Sequence, residues 1–373
     1  MPKRLDALQT VLMNSTVLNE WFIPMQKALD KVRYSRKQFS VLSADFFILL
    51  GCLRQLQGTK VLREQIQSLF DLDENAETVP LARSTWSDAL SSTVRNKILR
   101  EAVQVLTASA RTELPDRLYG IEGLGTRSIF AIDASYQAES SHYQPVYPGE
   151  GGTDNKKGHM NMTTYDMRAG IAVDSNTETV SIDEMRFIKE GWIASHWTCQ
   201  KDAIYVVDRA FIEARYWDQR KTKYHATVIT RMKSTFKYHI PEEIAVAPTA
   251  VNEGVIWDKK IQLNSSKQIW RLIQFVSPDG KLYEYLSNDF ALSPGIIAFL
   301  YHRRWDEEKY FDNYKTDMAN AKAWGKSPIA IEQQALLALV THLLMRLFLH
   351  QKGLALGLEE DHQTQQKRQG NRA

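Results

Sequence analysis

Four residues toward the C-terminal end of the chain, Tyr301, Arg304, Glu308 and Lys315, have the types and spacing to act on a single target. At about 100° per residue along a helix they point to about 0°, −60°, −20° and −40°. One helical stripe therefore presents an acid, two cations and a phenol. The acid can hold a metal, and Arg and Lys beside it suit a negatively charged substrate such as phosphate. Taken alone, the stripe reads as a solvated helix face with an i,i+4 Arg–Glu pair, which is common.

Two further acids lie upstream, each ending an apolar, strand-like run. Ile129-Phe-Ala-Ile132 leads into Asp133, and Ala203-Ile-Tyr-Val-Val207 leads into Asp208. Short runs of β-branched and aromatic residues read as buried strands. An acid at the end of such a strand sits at the rim of a sheet, where it reaches a ligand without entering the core. Either acid alone reads as the cap of a following turn or helix, and Asp208 has such a helix after it, from Phe211 to roughly Arg220. Two strand-end aspartates and a helix-borne glutamate, in the order Asp, Asp, Glu, can hold two divalent cations for in-line phosphoryl transfer.

The spacing Y-(2)-R-(3)-E-(6)-K at Tyr301, Arg304, Glu308 and Lys315 resembles the signature of a large group of DDE insertion-sequence transposases. Trp305 fits the same pattern, and Asp208-Arg-Ala-Phe211 resembles the group's second-acid motif. Ala210 stands where that motif usually has glycine, so the departure matters only if the backbone there needs φ > 0. Asp133-Ala-Ser135 is a less diagnostic first-acid motif. The resemblance covers roughly residues 129–349, with Leu81 to Leu90 and the helical pattern adding to it upstream. It implies a ribonuclease H-like α/β core, a mixed sheet flanked by helices, with a β-rich insertion between the second Asp and the Glu. It also implies two Mg²⁺ or Mn²⁺ ions held by Asp133, Asp208 and Glu308, with Tyr301, Arg304, Trp305 and Lys315 on the DNA. The partners would be double-stranded DNA, as element ends and as target, and further copies of the chain assembled on it.

The elements that must position these residues follow from the pattern of the chain. The first hundred residues read as helical. Ser43 can cap a helix running to about Gln57, ended by Gly58, and a second helix spans Val61 to Phe70. An acidic loop, 71–80, precedes Thr85-x-x-Asp88, which fits a capping box opening a helix through Trp86 and Leu90. With Arg83 beside it, this is either a DNA-reading unit or an ordinary helical bundle. Pro115 to Gly125 reads as a linker. Strands are expected near His159–Arg168, Gly170–Asp174 and Ala226–Arg231, and strand signals crowd 232–286. Pro294 starts the helix carrying the stripe, and Ile329 to Leu349 reads as a core helix whose His342 and His350 are structural. The expected divisions are 1–120 helical and DNA-binding, 121–231 the first part of the core, 232–286 the β-rich insertion, 287–350 core helices and 351–373 a flexible tail.

Composition excludes other classes. At 373 residues the chain suits two or three domains, and a net charge of +3 gives no global basic field. Positive charge is local instead: Arg209 to Lys237 holds eight Lys/Arg against two acids, which suits either a phosphate-facing surface or a solvated helix and strand. Cys52 and Cys199 are too few for a disulfide framework or a thiolate zinc site. The Tyr147–Gly152 loop lacks the G-x-x-x-x-G-K of a nucleotide cradle. Met1-Pro-Lys-Arg has no apolar core after its charges, and the apolar run at Phe46–Leu50 is too short to span a bilayer. A cytoplasmic, nucleoid-associated protein without a membrane partner is expected. The expected function is transposition by end cleavage and strand transfer. The alternatives are a ribonuclease H-like nuclease without strand transfer, or a DNA-binding protein derived from a transposase that no longer cuts.

Overall fold

The computed structural model describes residues 16–34, 39, 42–56, 82–138, 145–148, 155–179, 183–304, 318, 323–325 and 327–354. The chain divides into two compact units, Met1–Pro115 with Leu336–Ala373, and Asp116–Ala335.

In the first unit, α1 (Thr16–Lys31) buries Trp21, Phe22, Met25, Ala28 and Leu29, the i, i+3, i+4 spacing of a core-facing helix. Ser43 opens α2 (Ala44–Leu56), its hydroxyl accepting from Phe46 N at 3.4 Å. The capping box at Thr85 does not form. α3 (Arg83–Leu90) begins earlier, after Ala82, without a side-chain cap, and Ser91 ends it. Ser92 then caps a separate α4 (Thr93–Glu113) by accepting from Arg95 N. Arg95 is buried, donates to the Leu42 and Ser43 carbonyls at the start of α2 and lies over the Phe39 ring. It thereby joins two helices through their backbone. The expected helix at Val61–Phe70 and the acidic loop lie outside the described residues.

The second unit is built on one ten-stranded mixed sheet in the order β2-β3-β1-β5-β6-β10-β9-β8-β7, with β4 also paired to β3. In chain order these are β1 (Ile129–Ala138), β2 (Pro145–Pro148), β3 (Asn155–Asp166), β4 (Ile171–Thr179), β5 (Ile204–Val207), β6 (Thr227–Arg231), β7 (Tyr238–Ile244), β8 (Val255–Leu263), β9 (Ile269–Val276) and β10 (Leu282–Ser287). The β1–β5 and β5–β6 pairs are parallel and the others antiparallel. Short helices α5 (Glu184–Lys189) and α6 (Gly191–His196) precede β5, and α7 (Ala214–Tyr224) links β5 to β6. α8 (Pro294–Arg303) follows β10, and α9 (Pro328–Gln351) comes last.

The segment 232–286, read from sequence as a β-rich insertion, continues the main sheet. β10 returns antiparallel onto β6, so the strand edge that would otherwise expose unpaired backbone groups becomes the seam joining the two halves. The stretch after Pro115 is a set of turns tied into this unit. Arg168 pairs with Asp116 at 2.6 Å and donates to the Arg127 and Gly125 carbonyls.

Strand alternation sorts the two faces. One carries Phe130, Tyr205 and Trp270 toward α6 and α7: Phe130 packs on Trp197, Tyr205 on Trp217, and Trp270 donates to Asp218. Asp174 belongs to this face, accepting from Trp192 and Trp197 Nε1 at 2.7 and 2.6 Å. The other face carries Tyr285 against Tyr301 of α8, ring centroids 5.2 Å apart. Among the described residues α9 alone has the length and apolarity of a membrane span; 72% of its apolar window is buried, as in a core helix.

Candidate active site

The β5 run Ile204–Val207 is buried at every position, which leaves Asp208 as the first residue to emerge from the sheet. It keeps extended backbone (φ −72°, ψ 167°) and enters a 3-10 turn at Arg209–Phe211 without making a side-chain cap. The capping role open to Asp208 is therefore not taken. The buried Phe211 anchors that turn, its carbonyl accepting from Trp217 Nε1 at 3.0 Å. Asp202 and His225 are the only non-glycine residues with positive φ among the described residues, so Ala210 meets no steric objection.

Asp133 differs from its expected place. β1 does not end at Ile132; it runs on to Ala138, with Asp133 opposite Thr163 of β3. What ends at Ile132 is the parallel pairing with β5, whose last register partners are Ile132 and Val207. Asp133 and Asp208 follow those partners directly, and alternation places both on the α8 face.

α8 brings two signature residues to these acids. Tyr301 Oη approaches Asp208 Oδ1 at 3.5 Å, and Arg304 Nη1 meets Asp133 Oδ2 at 3.2 Å. Asp133 Oδ1 accepts from Ala134 N at 2.9 Å. The Arg304 side chain is only 8% exposed against 22% for Asp133, and its guanidinium lies over the Tyr301 ring. Burial pushes the Tyr301 phenol up, with Asp208 adding to the rise and Arg304 opposing it. The phenol therefore stays protonated and donates at neutral pH.

The start of α8 is set by backbone contacts. Asn252 Oδ1 accepts from Ser293 Oγ at 2.5 Å and Gly295 N at 3.1 Å. A Cβ added at Gly295 would overlap the Val251 carbonyl, so only glycine allows this approach. Arg271 of β9, fully buried with Asp258 of β8, also donates to the Asp289 and Leu292 carbonyls just before the helix.

The structure thus gathers Asp133, Asp208, Tyr301 and Arg304. Glu308, Lys315 and Trp305 lie outside the described residues. Lys233, read from sequence only as part of a basic run, is partly buried within electrostatic range of Asp208 and Arg209. Burial lowers its pKa and the Asp208 charge opposes that. A second unforeseen feature is a buried polar patch beside Asp133. Ser135, His159, Asn161, Thr163 and Ser175 share its face, and Ser175 Oγ donates to Asn161 Oδ1 at 2.7 Å. Among the described residues the Ser135 and Thr163 hydroxyls and both His159 ring nitrogens have no hydrogen-bond partner. Only the β1–β3 register reveals this patch.

A family model described as a transposase DDE domain matches residues 124–344. The chain belongs to that family. No curated protein matches it. The protein is thus a DDE transposase of the insertion-sequence kind, an enzyme of DNA recombination, and its sheet flanked by helices is consistent with the ribonuclease H-like transposase fold. The family generally uses divalent metal ions. The residues present fit that use: two carboxylates, oxygen donors suited to Mg²⁺ or Mn²⁺, emerge side by side and already draw a cation and a phenol. No group of three or more metal-ligating side chains occurs among the described residues.

Proposed function

We propose that this transposase cuts the ends of an insertion sequence and joins the freed 3′-hydroxyl to a target phosphodiester, with Asp133, Asp208 and Glu308 as the catalytic acids. The carrying observation is the adjacency of Asp133 and Asp208 past the last parallel register pair of β1 and β5, with Tyr301 and Arg304 upon them. In this reading the three carboxylates hold two Mg²⁺ or Mn²⁺ ions. When bound, the metal ions would activate the attacking oxygen and stabilise the leaving one.

Arg304, Lys315 and Tyr301 would grip phosphates around the scissile bond, Arg304 by its bidentate fork, while Trp305 packs on the DNA. Lys233 adds a cation on the Asp208 side. The helical region before Pro115 selects the element end, and the protein acts as an oligomer on DNA at the nucleoid in the cytoplasm.

The test is an assay on DNA bearing the terminal repeats of the parent element. Joined product is expected with Mg²⁺ or Mn²⁺, and Asp133→Asn, Asp208→Asn and Glu308→Gln should each reduce cutting by several orders of magnitude while DNA is still bound. Cut ends without joining would make the protein a nuclease. Near-normal cutting by any one variant would remove that residue from the triad.

A further inference from the structure

The basic run Arg209–Lys237 does not act as one surface. Arg220 is half-buried and stacked on Tyr216 and Tyr224, at 4.7 and 5.4 Å from their ring centres. Lys221 is half-buried near Asp289, Asp202 and Arg127, and Arg231 lies over Tyr283. Arg209 and Lys233 belong to the Asp208 rim. Arg215, Lys223 and Lys237 remain exposed and without an ion pair among the described residues, Lys223 Nζ also lying over the Tyr224 ring at 5.1 Å. Two of them, Arg215 and Lys223, are on α7.

These two line an open groove of about 730 Å³, and Lys267 of the β8–β9 turn faces them from its other wall. That turn is braced against the helix. Gln268 Nε2 donates to Thr222 Oγ1 at 3.2 Å, and Ser266 Oγ to Asp218 Oδ2 at 2.7 Å. Asp218, the one acid of the lining, is drawn into the wall, since its other oxygen accepts from Trp270 Nε1 at 3.1 Å. The remaining lining is amide and hydroxyl, groups that with Lys and Arg supply most contacts to phosphate and sugar.

The groove also has a direction. Asp202 N donates to Tyr224 O at 2.8 Å, so the C-terminal end of α7 lies at the start of β5, opposite Asp208. From Arg215 to Lys223 the helix rises ~12 Å, the axial length of roughly three to four phosphates on one strand. A ligand in the groove therefore leads away from the catalytic rim.

We propose that this groove, on the α7 face of the sheet, binds the sugar–phosphate backbone of duplex DNA away from the catalytic rim, without reading its sequence. The inference rests on the reading of the chain as a transposase, but not on which residues cut. The test uses the full chain and fluorescence anisotropy of two labelled duplexes, one bearing the element end and one scrambled, over a series of salt concentrations. Each phosphate contact contributes about −0.9 to the slope of log K against log salt. The triple variant Arg215→Ala, Lys223→Ala, Lys267→Ala should flatten that slope by about 2 to 3 and weaken both duplexes alike. The triple Arg215→Lys, Lys223→Arg, Lys267→Arg should keep the wild-type slope. Three results would overturn the groove: an unchanged slope in the alanine variant, a loss confined to the element end, or an equal loss in the charge-conserving variant. If the wild-type chain bound neither duplex, the transposase reading would fall with it.

Discussion

Arg304 and Asp133 hold each other in a way that sets two requirements against one another. The acid needs a cation to rest at the sheet rim, and Arg304 supplies one at 3.2 Å from a nearly buried position. The same carboxylate oxygen is one a divalent ion would need, and the same guanidinium is the one that would clamp a phosphate. Incoming DNA would compete with Asp133 for the Arg304 guanidinium and so leave that carboxylate oxygen open to a divalent ion. Arg304→Ala should therefore bind Mn²⁺ more tightly in the absence of DNA, by roughly tenfold for one charge removed, as read by calorimetry. Equal or weaker binding would show that the two do not compete. His159 in the polar patch offers a separate test. Burial lowers its pKa from 6.5 to about 4, so the folded chain holds the ring neutral while the unfolded chain protonates it first. Its stabilising effect is complete above pH 6.5 and is lost as pH falls toward 4, by up to about 3 kcal/mol. Urea melts across that window should show a shallower decline for His159→Gln than for wild type. Parallel declines would place the sensitivity elsewhere.

At the scale of elements, the helix carrying Tyr301 and Arg304 depends on a turn some forty residues away in sequence. Gly295 sits against the Val251 carbonyl and Asn252 side chain, so Gly295→Ala must push the start of α8 off its seat. We expect a loss of about 1–3 kcal/mol in stability, as for other overpacked sites, together with a fall in cleavage beyond what the unfolded fraction explains. Normal cleavage in the folded population would show that α8 tolerates the shift. The sequence carries no sign of this contact, because Val251 and Gly295 meet only when β8 and β10 are neighbours of β9. The same limit explains the other differences. β5 was legible because four consecutive apolar residues need a fully buried strand. The far half of β1 was not, although Asp133-Ala-Ser-Tyr-Gln-Ala138 alternates polar and apolar residues, because an acid directly after a buried apolar run reads as the end of a strand and only the pairing with β3 carries the strand on. Thr85 matched a capping box by type and spacing, yet Ser92 does the capping, because the pattern cannot say where the preceding helix stops. The basic run was visible as charge, but which cations turn toward Asp208, which stack on tyrosines and which stay exposed depends on the packing of α7 and β6.

At the scale of the whole chain, the division into units does not follow the order of the sequence. Residues 1–115 share a unit with the chain from Leu336 onward, so a fragment beginning after Pro115 keeps half of a helix whose companions have been deleted. That half is strongly apolar: Leu336, Leu337, Leu339, Val340, Leu343, Leu344 and Leu347 are all fully buried. Within this unit Gly51 packs directly on Leu337, and Cys52 Sγ donates to the Leu337 carbonyl at 3.9 Å. Burial pushes the Cys52 thiol up to about 12, keeping it unreactive in that contact. Two truncations follow from this arrangement. The fragment 116–373 would expose the apolar end of α9 to water, a contiguous patch that favours association, and should elute as aggregate. The fragment 116–335 removes that end, keeps the sheet with its two acids, and should remain monodisperse and cooperatively folded. It should also bind element-end and scrambled duplexes with equal affinity, because end selection is assigned to the region it lacks. Size-exclusion chromatography and competition gel shifts decide both points. A monodisperse 116–373 would show that the helix needs no partner from the N-terminal region. Undiminished preference in 116–335 would move end selection into the catalytic unit itself.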